Sequence, residues 1–190
     1  MKVSREQAAL NRERIVEVAG RLFRERGYDG IGVADLMRGA GLTHGGFYGH
    51  FDSKEDLLAE ACGRALEQAV LRWQRVADQS PEQPRAALAQ LSASYLSKKH
   101  VTQPELGCSI TTLGADAARL GPGVRQAMTA GARGQIGVLQ QLMPGADEAE
   151  RRRQALVAYS GMIGAVMLAR MSDDAALSAE LLQAMTDTLA

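Results

Sequence analysis

"GLTHGGFYGHF", residues 41–51, sets Gly45, Gly46 and Gly49 among two histidines, a tyrosine and two phenylalanines. Each glycine costs roughly 1 kcal/mol against alanine inside a helix. Phe47 and Phe51 nevertheless stand at the i, i+4 spacing of a helical face. Projected on a helix, residues 44–51 divide. His44, Gly45, Tyr48 and Gly49 share one face, and Phe47 and Phe51 lie on an adjoining one. Glycine on the outer face removes Cβ and lets another surface approach the backbone, while the aromatics pin a weak helix to its support. A glycine-rich loop lying on a core is the competing reading of this composition.

The flanks favour the helix. Val33 to Gly39 reads as a short helix, and Ala40-Gly41 as a tight turn. "FDSKEDLL" then opens a long helix to about Asp78, with Ser53 suited to the N-cap and Asp56 to the capping-box position. Helix, four-residue turn, helix is the geometry whose second helix enters the DNA major groove. Thr43 sits at the N-cap position, where a hydroxyl and free N–H groups suit a phosphate. Lys54 opens the next helix and reaches toward the same backbone. No GxGxxG follows a strand and no Gly-Lys-Ser/Thr occurs, so this is not a nucleotide-binding loop.

The whole chain reads as all-α. Nothing alternates with period two over a useful length, and the five prolines fall at plausible breaks. A first helix is expected from Ser4 to Arg26, with Ile15, Val18, Ala19, Leu22 and Phe23 on one face and Gly27 as its left-handed stop. After the long helix, further helices are expected near 85–99, 105–120, 123–143, 147–171 and 174–189, about nine in all. With 190 residues, 46% of them hydrophobic and 23% charged, the composition is that of an ordinary soluble globular protein. Lys+Arg balances Asp+Glu at 22 each, so net charge gives no nucleic-acid signal. Residues 1–54 hold nine basic against seven acidic side chains, an excess a solvated surface explains equally well. Cys62 and Cys108 make no disulfide framework, and the N-terminus lacks an apolar signal core, which fits a reduced cytoplasmic protein. The apolar stretch Ala155–Ala169 carries Ser160 and two glycines and is too short to span a bilayer. His44, His50 and His100 do not cluster with other ligands, and neither a catalytic triad nor GxSxG stands out. Neither an enzyme, a metal site nor a cofactor is expected.

"GYDGIGVADLMRGAGLTHGGFYGHFDSKEDLL", residues 27–58, resembles the DNA-binding region of the TetR family of transcriptional regulators. That family carries a Gly-aromatic motif before its helix-turn-helix, a Tyr-x-His-Phe ending to the second helix, and a Ser/Thr-Lys-Glu start to the next. The resemblance implies a helix-turn-helix DNA-binding domain over 1–53 and a helical effector-binding and dimerisation domain over 54–190. It assigns DNA contact to Thr43, His44, Gly45, Tyr48, His50 and Lys54. His44 stands where relatives often carry lysine and offers a hydrogen bond in place of a fixed charge. Two departures are Gly32, where Ser or Thr usually starts the first helix of the pair, and Met37, where a small residue is common.

The same resemblance implies a small-molecule pocket among the central helices. Trp73, Tyr95, Cys108, Met128, Leu139, Tyr159 and Met162 are the candidate lining residues. Gly131, Gly134 and Gly137 form a stripe that suits either close helix packing or a cavity wall. Cys108 follows Gly107 near a helix start, with Lys98, Lys99 and His100 upstream; it is either a reactive thiol or a small buried hydrophobe. The last two helices are expected to form a four-helix bundle with a second copy through Gly161, Gly164, Ala165, Leu177, Leu181, Leu182 and Met185. The expected function is a ligand-responsive regulator, foremost a repressor, binding palindromic double-stranded operator DNA as a homodimer. The alternative is a helical interaction or ligand-carrier module that keeps the helix-turn-helix only as scaffold.

Overall fold

The structure, a computed structural model, describes residues 4–190. The first three residues of the expected 1–53 domain lie outside the described residues. Nine α-helices and two 3₁₀ segments make up the fold among the described residues. Helix α1 (Arg5–Arg26) begins at Ser4, whose Oγ accepts from the Gln7 N–H at 3.1 Å. It ends where Gly27 takes φ +75°, a conformation that favours glycine. Helix α2 (Val33–Gly39) follows, its N-cap Gly32 giving no side-chain hydrogen bond. Gly41 turns the chain with φ +69° into a 3₁₀ segment, His44–Gly49.

Ser53 then caps α3 (Lys54–Gln79), accepting from the Asp56 N–H at 3.0 Å while donating its own proton to the Asp56 carboxylate at 2.7 Å. Helix α4 spans Pro84–Tyr95 and α5 spans Lys98–Thr102. A 3₁₀ turn at Pro104–Leu106 leads into α6 (Ser109–Ala117). The long helices α7 (Pro122–Leu142), α8 (Glu148–Met171) and α9 (Ala175–Leu189) complete the chain, the last two capped by Asp147 and Asp174.

Three expectations are corrected. The 85–99 helix divides at Leu96-Ser97, because Ser97 caps a new helix by accepting from the His100 N–H at 3.3 Å. The expected 105–120 helix is the 3₁₀ turn followed by the shorter α6. The third correction is α8, which runs for 24 residues and by length and composition is apolar enough to cross a membrane. Its Ala155, Met162, Val166 and Ala169 lie in the protein core, so here it serves as a packing helix.

Two apolar cores share α3 and α7. The first gathers Ile15, Phe23, Leu36, Met37, Phe47 and Phe51 around Leu57, Leu58, Leu66, Val124 and Met128. The second gathers Trp73, Leu88, Tyr95, Leu139, Tyr159 and Met162. Residues 54–66 of α3 therefore pack with the N-terminal helices, and residues 73–77 with the C-terminal ones. Close approach of α3 to α7 depends on glycine. A Cβ at Gly131 would stand 2.5 Å from the Leu66 Cβ, and one at Gly134 only 2.7 Å from Val70 Cγ2, whereas Gly137 faces open space.

Candidate functional site

The 44–49 segment is 3₁₀, where the sequence suggests an α-helix over 44–51. Three glycines lower α-helical propensity, and six residues are too few to offset helix nucleation. At three residues per turn, Gly45 lines up with Tyr48 and His44 with Phe47. Phe47 is 0% exposed, packed in the first core with Met37, while Tyr48 is 69% exposed. The Tyr48 ring meets the Phe47 ring edge-on at 5.2 Å, and Phe47 leans on Phe51 at 5.7 Å. Added Cβ atoms at Gly45 and Gly49 would meet nothing within 4 Å, so the backbone on both sides of Tyr48 is open to a close approach. Thr43 and His44 are exposed, and His50 is half-buried beside Phe51. Thr43 caps by position only, its hydroxyl bonded to no N–H of the segment.

Two clamps hold this surface. Arg12 of α1 places its guanidinium 4.7 Å over the Phe51 ring and pairs through both Nη atoms with the Glu60 carboxylate of α3, Nη2 to Oε2 at 2.6 Å. Lys54 lays its Nζ 4.1 Å over the Tyr28 ring. Partial burial draws the Lys54 ammonium below its ordinary pKa, and the Asp29 carboxylate opposes that. Tyr28 is a supporting residue that the sequence reading missed; its place in the Gly-aromatic motif was the available signal. Its backbone N–H also donates to Asp116 Oδ2 at 3.1 Å, which ties the end of α1 to α6.

A cavity of about 470 Å³ opens between α1, α3, α4, α5, the 103–109 segment and α7. Trp73, Tyr95 and Cys108 line it. Met128, Leu139, Tyr159 and Met162 do not. Met128 belongs to the first core and the other three to the second, and Tyr159 stands behind the wall, donating to Gln135 Oε1 at 2.9 Å. The wall also holds Arg24, Arg72, Lys99, His100 and Ser109, none of which the sequence singled out as lining. The basic run before Cys108 hinted at Lys99 and His100 alone. His100 folds back as that run allows. Its Nδ1–H donates to the Tyr95 carbonyl at 2.6 Å, and its Nε2 accepts from the Cys108 N–H at 2.9 Å, a pattern that requires neutral imidazole. Burial and the Arg170 guanidinium lower the His100 pKa, against the Tyr95 carbonyl, which raises it. Arg170 of α8 fastens the same corner, donating to the His100 carbonyl at 2.5 Å and to Thr111 Oγ1 at 3.1 Å. Cys62 lies outside the wall, and burial pushes its thiol up to about 12.

At the C-terminus, α9 buries none of its residues within the chain. Gly161 is covered by Met185, whose Sδ would stand 2.6 Å from an added Cβ, and Leu182 packs on the second core. Ala165 is buried too. Those four expected interface residues are therefore engaged inside the chain, because α9 needs one apolar row to dock on α8. Gly164 faces open space, Leu181 is half-buried, and Leu177, Val157, Leu168 and Met171 are exposed.

A helix-turn-helix with an exposed polar ridge, carried on a helical body with a cavity, defines a regulator of the DNA-binding class. Residues 15–61 match the family described as bacterial regulatory proteins, tetR family. The HTH-type transcriptional repressor NemR of Escherichia coli K12 is 27% identical over 171 residues, spanning 85% of this chain and 84% of that protein. The HTH-type transcriptional repressor KstR2 of Mycolicibacterium smegmatis is 29% identical over 96 residues, 50% of this chain and 47% of that one. The crystal structure of the reduced form of E. coli NemR superposes with a TM-score of 0.80 at 24% identity, covering 94% of each chain. A TetR transcriptional regulator from Chloroflexus aurantiacus superposes at 0.75 with 26% identity over 97% and 96%. Residues 15–61 thus carry the DNA-binding region described for the tetR family, and the whole chain has the fold of TetR-family regulators.

Proposed function

We propose that this protein is a ligand-responsive repressor that binds a palindromic operator as a cytoplasmic homodimer and leaves it when a small molecule binds. The observation that carries the DNA reading is the contrast between Tyr48 at 69% exposure, flanked by open glycine backbone, and Phe47 at 0%. A scaffold needs the buried anchor but has no use for the exposed row. In this reading residues 1–53 form the DNA-binding domain, and Thr43, His44, Gly45, Tyr48, His50 and Lys54 meet the duplex. Residues 54–190 hold the effector and the second copy, with no catalytic role. Gly164, Leu168, Leu177 and Leu181 supply an outward apolar face for the partner. The test is selection of bound duplexes from a random pool, followed by mobility shifts over a range of salt. The expected result is one inverted repeat with half-sites in successive major grooves and affinity that falls steeply with salt. Failure to enrich any sequence would overturn the reading in favour of the helical interaction module.

A further inference from the structure

The cavity wall is cationic and short of partners. Arg24, Arg72 and Lys99 line it, and no acidic side chain does so among the described residues. None of the three forms an ion pair among the described residues. Arg72 and Lys99 are exposed and stand at the rim, while Arg24 is half-buried. Arg24 Nε donates to the Glu105 carbonyl at 3.0 Å, but its buried Nη1 has no hydrogen-bond partner. The Tyr95 hydroxyl and Ser109 Oγ, in residues 7% and 1% exposed, are likewise buried in the wall without a partner. Thiols stand beside them, Cys108 by Tyr95 and Cys62 by Ser109, without a hydrogen bond of normal geometry. Buried polar groups are almost always satisfied, and Arg24 Nη1 is a charged donor in a cavity-lining residue that no group of the chain satisfies. Among the polar side chains of the rest of the wall, which include Gln68, Gln103 and Gln135, one aromatic corner stands out, with Trp73 meeting Tyr95 edge-on at 5.8 Å.

We infer that the cavity binds an organic anion, its carboxylate or phosphate group seated on Arg24 and its apolar body against Trp73 and Tyr95. A guanidinium with free N–H groups matches a carboxylate or phosphate oxygen pair, and the volume suits a molecule of drug size. Arg24 belongs to α1, the first helix of the DNA-binding unit. The ligand thus grips that unit directly as well as through α3. This consequence for DNA release rests on the repressor reading above; the binding itself does not.

Trp73 is the chain's single tryptophan and lies in the wall, so its fluorescence reports occupancy of the free, full-length protein. Three probes suffice: 3-phenylpropanoate, phenyl phosphate and the neutral isostere 3-phenylpropanamide. At least one anion is expected to change Trp73 emission saturably and to bind about tenfold or more tighter than the amide. Which anion wins separates a carboxylate effector from a phosphate ester. Arg24→Gln should erase the preference and Arg24→Lys keep part of it. Arg24 also holds the Glu105 carbonyl, so circular dichroism checks the fold, and Arg72→Gln at the rim provides a second variant with a smaller expected loss. Equal affinity for acid and amide, an unchanged preference in folded Arg24→Gln, or no saturable response to any probe at millimolar concentration overturns the inference. Mobility shifts on the selected duplex keep the two readings apart. Duplex binding without anion discrimination sinks the anion pocket alone, and anion binding without duplex binding sinks the repressor reading alone.

Discussion

Tyr48 projects into open space whereas Lys54 lies over the Tyr28 ring, so the two side chains are expected to fail differently when removed. Tyr48→Ala should cost on the order of 1–3 kcal/mol of operator affinity and relax the preference at one base position if the ring reads a base. Lys54→Ala should weaken all duplexes alike and lower the salt slope by about one, the share of one neutralised phosphate. Wild-type affinity in both variants would remove these residues from the interface. The two cysteines make a second pair. Cys108 lines the cavity and is half-buried, while Cys62 is buried with its thiol raised to about 12 by burial. Iodoacetamide at about pH 8 should therefore label Cys108 and spare Cys62, because only thiolate reacts. Mass spectrometry of the peptides reads this, and labelling of Cys62 at a comparable rate would contradict it. The exposed ridge was legible in sequence because glycine and aromatic residues alternate with distinct roles there. Arg24 was not, because nothing local distinguishes it from Arg21 and Arg26 on the same helix.

Helices with strong caps were legible to within a residue or so. Ser4, Ser53, Asp147 and Asp174 each accept a hydrogen bond at the start they were expected to mark or flank. The divided helix at 96–97 carries neither proline nor glycine; the Ser97 cap starts the new turn, and His100 turned back onto Tyr95 and Cys108 holds it there. That turn makes the corner sensitive to acid. Burial holds the folded His100 pKa below the unfolded value near 6.5, so the unfolded chain binds the proton more readily. Stability from this residue is then fully present above the unfolded pKa and is lost as pH falls from there toward the folded value. Chemical denaturation should show the wild type losing stability from pH 7 to pH 5 by more than His100→Gln does. Parallel pH profiles would show that the imidazole carries none of this dependence. The α3–α7 contact gives a test independent of pH. Gly131→Ala forces a methyl group against Leu66, and overpacking of this kind costs about 1–3 kcal/mol, read as a lower denaturation midpoint. Gly137→Ala faces open space and should be neutral or slightly stabilising.

At the scale of the whole molecule, periodicity announced an all-α chain, and the 27–58 motif carried the resemblance to the TetR family. The resemblance implied a pocket and named Trp73, Tyr95 and Cys108 in its wall, but not Arg24, which reaches the cavity only because α1, α3, α5 and the 103–109 segment converge. Nor did the resemblance show which row of α9 docks on its own chain and which remains outside. Met185 belongs to the docked row, so charging it would damage the monomer, and the informative substitutions are at Leu168 and Leu177, which are 45% and 46% exposed. Leu168→Glu with Leu177→Glu should yield a folded monomer by light scattering, since charges in a closed apolar interface are costly. A dimer of unchanged affinity would place the interface elsewhere. In the proposed dimer the interface sets the spacing of the two Tyr48 ridges, so the monomer should also lose the inverted repeat while keeping weak, salt-dependent binding to any duplex. Moving the dimer from ~99% to ~1% DNA-competent requires the effector to favour the released state by about 5.5 kcal/mol. That coupling is reciprocal, so saturating operator must weaken effector binding by the same factor by which effector weakens operator binding. Titrating the winning anion with and without the selected duplex, and the duplex with and without the anion, measures both factors. Matching factors well above one identify the cavity as the switch. An anion whose affinity ignores the operator occupies the cavity without controlling release.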